Sequence, residues 1–278
     1  VSRVDQFYTK RNLWIFAALW HKVNTSPVTK TVKARLFFWL QSLAVGQTKM
    51  NRYFEASYSQ VNRYLKGTLY IGPKVSEVSP GYAFSGKINR LSQASLTQNR
   101  ITNTYISTSS FTSLTVPDCS IDYIFTDPPF GHNIQYSELN FIWEAWLGVI
   151  TDSGQEAIIS EGQEKSLEDY RELMLRSFQE AYRILKPKRW ITVVFHNSKA
   201  SVWNAIQDGL AKAGFIVAQV ATLDKQQKTM TQYAYMGSVK NDLVINAYKP
   251  DTGFYSQFLK VAGAGMERAF IKQHLGYL

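Results

Sequence analysis

The stretch that decides the fold reads Ile121-Asp-Tyr-Ile-Phe-Thr-Asp-Pro-Pro-Phe-Gly131. Its first five residues form a short, mostly apolar run, as is typical of a buried strand in an α/β sheet. The two prolines fix their own φ angles and push the residues before them into extended conformations. The sequence therefore predicts a buried strand over 121–125 that ends in a rigid, extended tip.

The tip brings together groups that suit a nucleobase amino group. The lone pair of such a group is delocalised into the ring, so the nitrogen is a poor nucleophile. Two acceptors for its N–H bonds, the Asp127 carboxylate and the Pro128 carbonyl, favour a pyramidal nitrogen and free the lone pair. A base that has left its helix, as enzymes acting on bases require, can stack on Phe130 with roughly 1–3 kcal/mol. We therefore predict that the catalytic residues are Asp127, Pro128, Pro129 and Phe130.

The chain after the tip alternates between helical and strand patterns. A long apolar stripe predicts a helix that is capped by Ser166, with Asp169 three residues later, and that stops at Pro187. Further patterns predict a strand, a helix that ends at Gly214 and two more strands, at 190–195, 202–210, 215–220 and 243–248. This order predicts an α/β sheet that is mostly parallel, with one antiparallel strand near 243–248.

The chain before the tip has a different character. Apolar residues recur at helical spacing in two segments of residues 1–66, and a turn lies between the segments at 24–27. Residues 67–100 are rich in glycine, proline and serine and are predicted to form an irregular connector with a short strand at Leu69–Ile71. We therefore expect a helical segment and connector over 1–100, a catalytic α/β domain over 101–250 and a helical tail over 251–278.

Composition and charge exclude several classes of protein. The 278 residues are 45% hydrophobic and 14% aromatic, enough for a large core, and the net charge of +10 predicts a polyanionic partner. The single cysteine, Cys119, excludes an intramolecular disulfide scaffold and a thiolate-rich zinc site. The sequence has no cluster with metal-ligand spacing, no P-loop and no nucleophile elbow, so we predict no metal. Without a membrane-length apolar run or a signal-peptide pattern, we expect no membrane partner and a cytoplasmic location.

Asp127-Pro-Pro-Phe130 resembles the catalytic motif of the amino-methyltransferases, which methylate adenine N6 or cytosine N4 with S-adenosylmethionine. The wider pattern resembles the large adenine-specific DNA methylases of that family. The resemblance covers most of residues 1–250 and rests on five segments in the family's order: Phe7–Leu13, with Lys10 where proline is usual, Asp127–Phe130, Gly131–Asn140, Arg183–Asn197 and Ser238–Val244.

The resemblance implies a fold and a set of site residues. The fold is a partial Rossmann-like S-adenosylmethionine-dependent methyltransferase sheet with an N-terminal helical segment. The methyl donor is S-adenosylmethionine, the partner is DNA, and adenine is the preferred base because cytosine N4 enzymes more often have serine at the position of Asp127. Thr126 and Asp127 are implied at the cofactor, and four residues are implied at the substrate: Phe130, His132, Asn133 and Tyr136.

One element of the family pattern is missing. No glycine-rich loop follows a strand in this sequence, and no acidic residue fits the position after the family's second strand. We therefore expect this chain to be the C-terminal part of a methyltransferase whose cofactor loop lies upstream of Val1, and expect that this part alone is inactive without that partner segment. Family sheets have the strand order 3-2-1-4-5-7-6, which makes 121–126 the fourth strand and leaves its edge open for the missing first strand.

Two other functions stay open at this point. An RNA methyltransferase acting on a base amino group would have the same Asp-Pro-Pro-Phe motif, and the basic charge does not separate DNA from RNA. A non-catalytic nucleic-acid-binding part of a restriction or defence assembly would explain the missing cofactor loop. Binding of S-adenosylmethionine separates the catalytic functions from the non-catalytic one.

Overall fold

The computed structural model describes residues 3–53, 55, 64–65, 67–97, 103–132, 134–197, 199–223 and 242–251. Within these residues the chain forms helices and a mixed sheet, as expected for an α/β protein. The helices are α1 (Lys10–Thr25), α2 (Lys30–Ala44), α3 (Pro80–Thr97), α4 (Tyr136–Leu147), α5 (Leu167–Ile184) and α6 (Ala200–Ala213). The strands are β1 (Ile121–Thr126), β2 (Leu185–Phe195), β3 (Ile216–Leu223) and β4 (Asp242–Tyr248).

The four strands lie in the order β1-β2-β4-β3. β1 is parallel to β2, with Thr126 opposite Val193, and β4 is antiparallel to both β2 and β3. In the family's numbering this is the order fourth, fifth, seventh and sixth, so the partial methyltransferase sheet predicted from the sequence is confirmed. The predicted antiparallel strand at 243–248 is confirmed as β4.

Helices α5 and α6 pack against each other and against this sheet. They bury a core of aliphatic and aromatic side chains that includes Phe178, Ile206, Ile191 and Ile245. The predicted start of α5 is confirmed, since the Ser166 hydroxyl accepts bonds from the first turn and the Asp169 carboxylate accepts the Ser166 N–H. The Ser166 hydroxyl and the Ser166 N–H both donate to the Asp169 carboxylate, and these two bonds lower the pKa of Asp169.

The end of α5 differs from the prediction, which took Pro187 as the helix stop. α5 ends at Ile184, and β2 begins at Leu185 with Pro187 inside it. Proline is compatible with this position because the register of β1 and β2 shifts between Ile121 and Tyr123, and Lys188 has a positive φ of 62°. The geometry of this bulge depends on pairing with β1, which the local sequence does not show.

Charged side chains link α5, β2 and the segment before β1 at the end of the sheet where β1 begins. Lys249 is 4% exposed, and its ammonium donates to the carbonyls of Tyr182 at 2.7 Å and Leu185 at 2.8 Å. The guanidinium of Arg183 bonds the carboxylates of Glu180 and Asp118. These contacts hold the corner between α5 and β2 next to the segment that leads into β1.

Contacts divide the chain into two compact units. The helical unit comprises residues 1–106 and 136–153, and the sheet unit comprises 107–135 and 154–278. Helix α4 thus clusters with the N-terminal helices, although the sequence placed it in the catalytic domain. Its indoles provide the reason, because Trp143 donates to the Gln41 carbonyl at 3.2 Å and Trp146 donates to the Tyr8 hydroxyl at 3.0 Å.

The core of the helical unit is mainly aromatic. The rings of Phe16 and Trp146 lie 4.6 Å apart between centroids, and those of Trp20 and Phe37 lie 4.8 Å apart. The hydroxyl of Tyr8 is buried among them, and this burial raises its pKa well above the ordinary value. Helices α1 and α2 confirm the helical prediction for the first part of the chain.

The irregular connector predicted over 67–100 is wrong for residues 80–97, which form α3. Proline is compatible with the first position of a helix, which Pro80 occupies. The ring centroids of Phe84 and Phe16 lie 6.0 Å apart, and the Trp39 indole donates to the backbone carbonyl of Phe84. Burial of this face outweighs the weak helix propensity of Gly81 and Gly86. The short strand predicted at Leu69–Ile71 is also wrong, since these residues are in no strand.

Strand β1 lies at the edge of the described sheet, as the sequence predicted. Side chains on one face of β1 are strongly exposed, Tyr123 by 53% and Phe125 by 65%, whereas Ile124 on the other face is buried. The Tyr123 hydroxyl donates to the Thr192 hydroxyl at 2.7 Å, and the Thr192 hydroxyl in turn donates to the Asn246 side chain on β4.

Among the described helices, none is long and apolar enough to cross a membrane.

Candidate active site

The predicted tip lies directly after β1. Asp127 follows the last residue of the strand, at the carboxyl edge of the two parallel strands, which is where ligands bind in open α/β sheets. Its side chain is exposed, that of Thr126 is half-buried and that of Pro128 is buried. The structure thus places the four candidate catalytic residues together directly after β1, and Asp127 is the most exposed of them.

Two side chains from other elements bond the backbone of the tip. The hydroxyl of Tyr170, on α5, donates to the carbonyl of Pro129 at 2.7 Å. The amide of Asn197, two residues after β2, donates to the carbonyl of Phe130 at 2.6 Å and accepts the Lys199 N–H at 2.7 Å. These two bonds use the carbonyls of Pro129 and Phe130 and attach the tip to α5 and to the segment after β2. Neither bond involves the carbonyl of Pro128.

The ring of Phe130 is half-buried and packed on its edges. Its centroid lies 5.6 Å from that of Phe195 and 6.0 Å from that of His196, both in edge-to-face geometry. The Nδ1 of His196 is 2.8 Å from a carboxylate oxygen of Asp242, which is buried at the start of β4. The Phe130 ring is therefore packed against the end of β2, and His196 in turn contacts Asp242 at the start of β4.

Gly131 directly follows the tip, and both its backbone conformation and its close neighbours favour glycine. Its φ is +81°, and a Cβ atom would lie 3.1 Å from a methyl carbon of Val202 on α6. Its carbonyl accepts the Ile159 N–H at 3.2 Å. Because the backbone at Gly131 packs closely against α6, the positions open to the tip residues just before Gly131 are restricted.

The remaining predicted substrate residues are more dispersed. His132 is exposed directly after Gly131, whereas Asn133 lies outside the described residues. Tyr136 is the first residue of α4 and belongs to the helical unit. Residues 224–241 and 252–278 also lie outside the described residues. In the part of the chain that is described, no group of three or more His, Cys, Asp or Glu side chains could hold a metal ion.

Sequence reasoning missed the residues that hold the tip. Tyr170 belongs to the apolar stripe of α5, and its spacing predicts burial but not the partner of its hydroxyl. Asn197 belongs to the segment that resembled the family, but its bond to Phe130 depends on the pairing of β1 with β2. Asp242 also belongs to a segment that resembled the family, Ser238–Val244, but its contact with His196 depends on the pairing of β2 with β4.

The pattern of this segment matches a known family. The family model described as DNA methylase, for N6 and N4 amino-methyltransferases, matches residues 121–258, about half of the chain. Residues 121–258 are thus similar to the DNA methylase family. The resemblance found in the sequence is thereby confirmed, and S-adenosyl-L-methionine is the methyl donor that goes with the family.

Solved structures with methyltransferase descriptions are also similar. One, described as a DNA modification methylase from Thermus thermophilus and complexed with S-adenosyl-L-methionine, is 17% identical with a TM-score of 0.29, and the match covers 49% of this chain and 51% of that one. A methyltransferase from Methanosarcina mazei is 12% identical with a TM-score of 0.31, covering 58% of this chain and 76% of that one. The match spans about half the length of the Thermus methylase. No curated protein matches the sequence.

The tip after β1 contains an exposed carboxylate, Asp127, and a half-buried aromatic ring, Phe130. For the methyl donor, the candidates in this chain are Thr126 and Asp127, and the glycine-rich loop expected for its methionine moiety is not found in the sequence.

Proposed function

We propose that this chain is the base-binding part of a DNA amino-methyltransferase that modifies adenine N6 in preference to cytosine N4. The observation that supports this most directly is the Asp127–Phe130 tip, which lies at the carboxyl edge of β1 and is bonded by Tyr170 and Asn197. The match of 121–258 to the DNA methylase family gives the reaction class.

The first task of the tip is to prepare the amino group. In the proposed site the Asp127 carboxylate accepts one N–H of the base and the Pro128 carbonyl accepts the other. Both acceptors stabilise the positive charge that develops on the nitrogen as the new bond forms, and their fixed positions lower the reorganisation that the reaction requires. S-adenosylmethionine supplies the methyl group from its sulfonium centre.

The second task is to hold the base. The target must leave the duplex, and the ring of Phe130 provides a surface on which it stacks. The edge-to-face contacts of Phe130 with Phe195 and His196 keep the ring in one orientation. We assign His132, Asn133 and Tyr136 to the substrate side of the site as part of this proposal.

The transfer proposed here is direct. Cys119, the one cysteine of the sequence, lies before β1 and thus at the opposite end of the strand from Asp127. A thiol at that end cannot attack a base held at the tip, so a covalent base–enzyme adduct of the kind formed by cytosine C5 enzymes has no nucleophile in this chain.

The methionine moiety of the donor needs a binding loop from elsewhere. Because the sequence has no glycine-rich loop after a strand, we propose that this loop belongs to another segment of the same protein and that the isolated chain is inactive. DNA is the substrate under this proposal.

Methyl transfer by the natural full-length protein tests the proposal. The protein is incubated with labelled S-adenosylmethionine and either duplex DNA or RNA, and the nucleosides are then separated. We expect labelled N6-methyladenine from DNA. Labelled N4-methylcytosine would contradict the adenine preference but not the family, and label in RNA alone would contradict DNA as the substrate. DNA binding without any transfer would support the non-catalytic alternative.

A further inference from the structure

The net charge of the chain is concentrated in the helical unit. Residues 1–106 and 136–153 contain 15 lysines and arginines against 6 aspartates and glutamates, a net charge of +9. The sheet unit contains 16 against 15, a net charge of +1. The electrostatic attraction for a polyanion thus comes almost entirely from the unit that does not contain the tip.

Within the helical unit the imbalance is sharpest along α1 and α2. Between Asp5 and Glu55 the sequence has eight lysines and arginines and no acidic residue. Both helices begin with lysine, Lys10 and Lys30, and neither has an acidic residue in its first turn. Lysine at a helix N-terminus opposes the helix dipole, so these positions disfavour the helices that contain them. A charge placed against local stability is expected at a functional surface.

The outward face of α1 combines this charge with an exposed aromatic ring. Trp14 is 77% exposed, and Lys10, His21 and Lys22, which lie four residues before and seven and eight residues after it, share its side of the helix. Arg11 is also exposed and is paired with Glu77 at 3.0 Å. An indole in open solvent is unfavourable for a folded chain, whereas sugars and bases offer it a flat apolar partner.

The turn between α1 and α2 adds further charge. The ammonium of Lys33 donates to the carbonyl of Asn24 at 2.8 Å, which holds the start of α2 against the end of α1. Lys22 and Lys30 are both exposed at this end of the pair. The exposed ring of Phe38, at 61%, lies three residues after Arg35 on α2.

We infer that the outward face of α1, together with the α1–α2 turn, binds the phosphate backbone of duplex DNA. This inference rests on the proposed DNA substrate, and it adds a binding surface that is separate from the tip. Lysines spaced along a helix and its turn suit a row of phosphates, and contacts of this kind position a protein on DNA without reading its sequence.

The test is the salt dependence of binding to a duplex DNA oligonucleotide, measured with the natural full-length protein. The variant Lys10→Gln/Lys22→Gln/Lys30→Gln removes three exposed charges from the proposed surface. Each phosphate contact contributes about 0.9 to the slope of log K against log salt, so we expect the slope to fall by about 2 to 3. The matched control, Lys74→Gln/Lys87→Gln/Arg90→Gln, removes three charges from the same unit outside α1 and α2, and its slope should stay near that of the wild type.

Three further measurements make the test decisive. Thermal unfolding of the first variant should occur at or above the wild-type temperature, so that a loss of binding is not a loss of folding. Trp14→Ala should weaken binding by roughly tenfold with an unchanged slope, because an apolar contact releases no counterions. Asp122→Ala, which removes an exposed carboxylate of β1 in the sheet unit, should leave the slope unchanged, which separates this surface from charge changes elsewhere in the chain.

Equal slope changes in both triple variants would overturn the inference, because net charge alone would then explain binding. An unchanged slope in the α1–α2 variant would also overturn it, even if Asp127→Ala abolished methyl transfer. Tighter binding of RNA than of DNA, with the same response to the triple variant, would replace DNA by RNA as the partner of this surface.

Discussion

Helix α5 of the sheet unit and helices α1 and α2 of the helical unit follow different rules. α5 has a complete capping box, acidic residues in its first turn and Arg183 in its last, which all favour the helix dipole. α1 and α2 also have threonine caps, but their first turns contain lysine and no acidic residue. The first turn of α5 thus stabilises its helix, whereas the lysines in the first turns of α1 and α2 oppose theirs, which agrees with the DNA-binding surface that we propose for these two helices.

The two units also differ in what their contacts achieve. In the sheet unit a few directed hydrogen bonds from α5 and from the end of β2 attach one short segment, the tip. In the helical unit the directed bonds come from buried Tyr8, Asn12 and Asn51 and from three indoles, and they link segments within the core. The difference suggests that the sheet unit performs chemistry at one point and the helical unit offers a broad surface.

The largest expected effect is the loss of methyl transfer on Asp127→Ala. Removal of an acceptor from the amino group should lower the rate by roughly three orders of magnitude, as for other single groups that stabilise developing charge. Much of the DNA affinity should remain, because we assign the phosphate contacts to the helical unit. The measurement is transfer of labelled methyl groups together with a DNA-binding titration of the same protein.

Asp122→Ala is the matched control for that change. Asp122 is an exposed aspartate on β1 that is paired with Lys186. It lies near the start of β1, whereas the tip follows the end of that strand. We expect transfer near the wild-type rate. Full transfer by Asp127→Ala would remove Asp127 from the proposed mechanism.

The next effect concerns the bonds that hold the tip. Tyr170→Phe removes one hydroxyl and leaves the ring in the core. It should lower the free energy of unfolding by about 1 kcal/mol and reduce kcat by roughly tenfold, with the KM for DNA unchanged. Tyr182→Phe, on the same helix but away from the tip, should leave kcat unchanged. A drop in stability without any change in kcat would make Tyr170 a purely structural residue.

Two glycines give a smaller and sharper comparison. Gly131 and Gly148 both have positive φ, +81° and +69°, but only Gly131 has close neighbours, with Val202 3.1 Å from a Cβ position; Gly148 has none within 4 Å. Alanine at 148 should lower the free energy of unfolding by about 1–2 kcal/mol for its backbone alone. Alanine at 131 should lower it by about 1–3 kcal/mol more because of overpacking.

The measurement is urea denaturation of each variant, with methyl transfer assayed in parallel. Gly131→Ala should also slow transfer, because the displaced backbone follows directly on Phe130. Equal destabilisation by the two substitutions would contradict the close packing of Gly131 on α6.

The smallest effect is a pH dependence of stability. The Arg183 guanidinium lowers the pKa of Glu180 to about 2 from an ordinary 4.5. A carboxylate with a lowered pKa in the folded state stabilises the protein above its unfolded pKa, and this stabilisation is lost as the pH falls. Between pH 4.5 and 2 the wild type should therefore lose stability faster than Glu180→Gln. Parallel curves for the two proteins in acid denaturation would exclude this contribution.

Several elements could be predicted from local sequence because their causes are local. The stripe and cap of α5, the C-terminal Gly214 of α6 and the apolar run of β1 depend on neighbours within one or two turns. The sequence missed α3 because Gly81 and Gly86 argue locally against a helix, and the burial of Phe84 that favours it depends on residues far away in the chain. The bulge at Pro187 was missed for the same reason.

By itself, the sequence determined the chemistry of the tip and the kinds of elements around it. Two prolines restrict φ at their own positions whatever surrounds them, so the segment after β1 has an extended path, with Asp127 and Phe130 at its two ends. Only the tertiary structure decided which groups hold that path. The reach of the Tyr170 hydroxyl to Pro129 and of Asn197 to Phe130 depends on how α5 and β2 pack beside β1, and such packing is set by long-range burial rather than by any residue's neighbours in the chain.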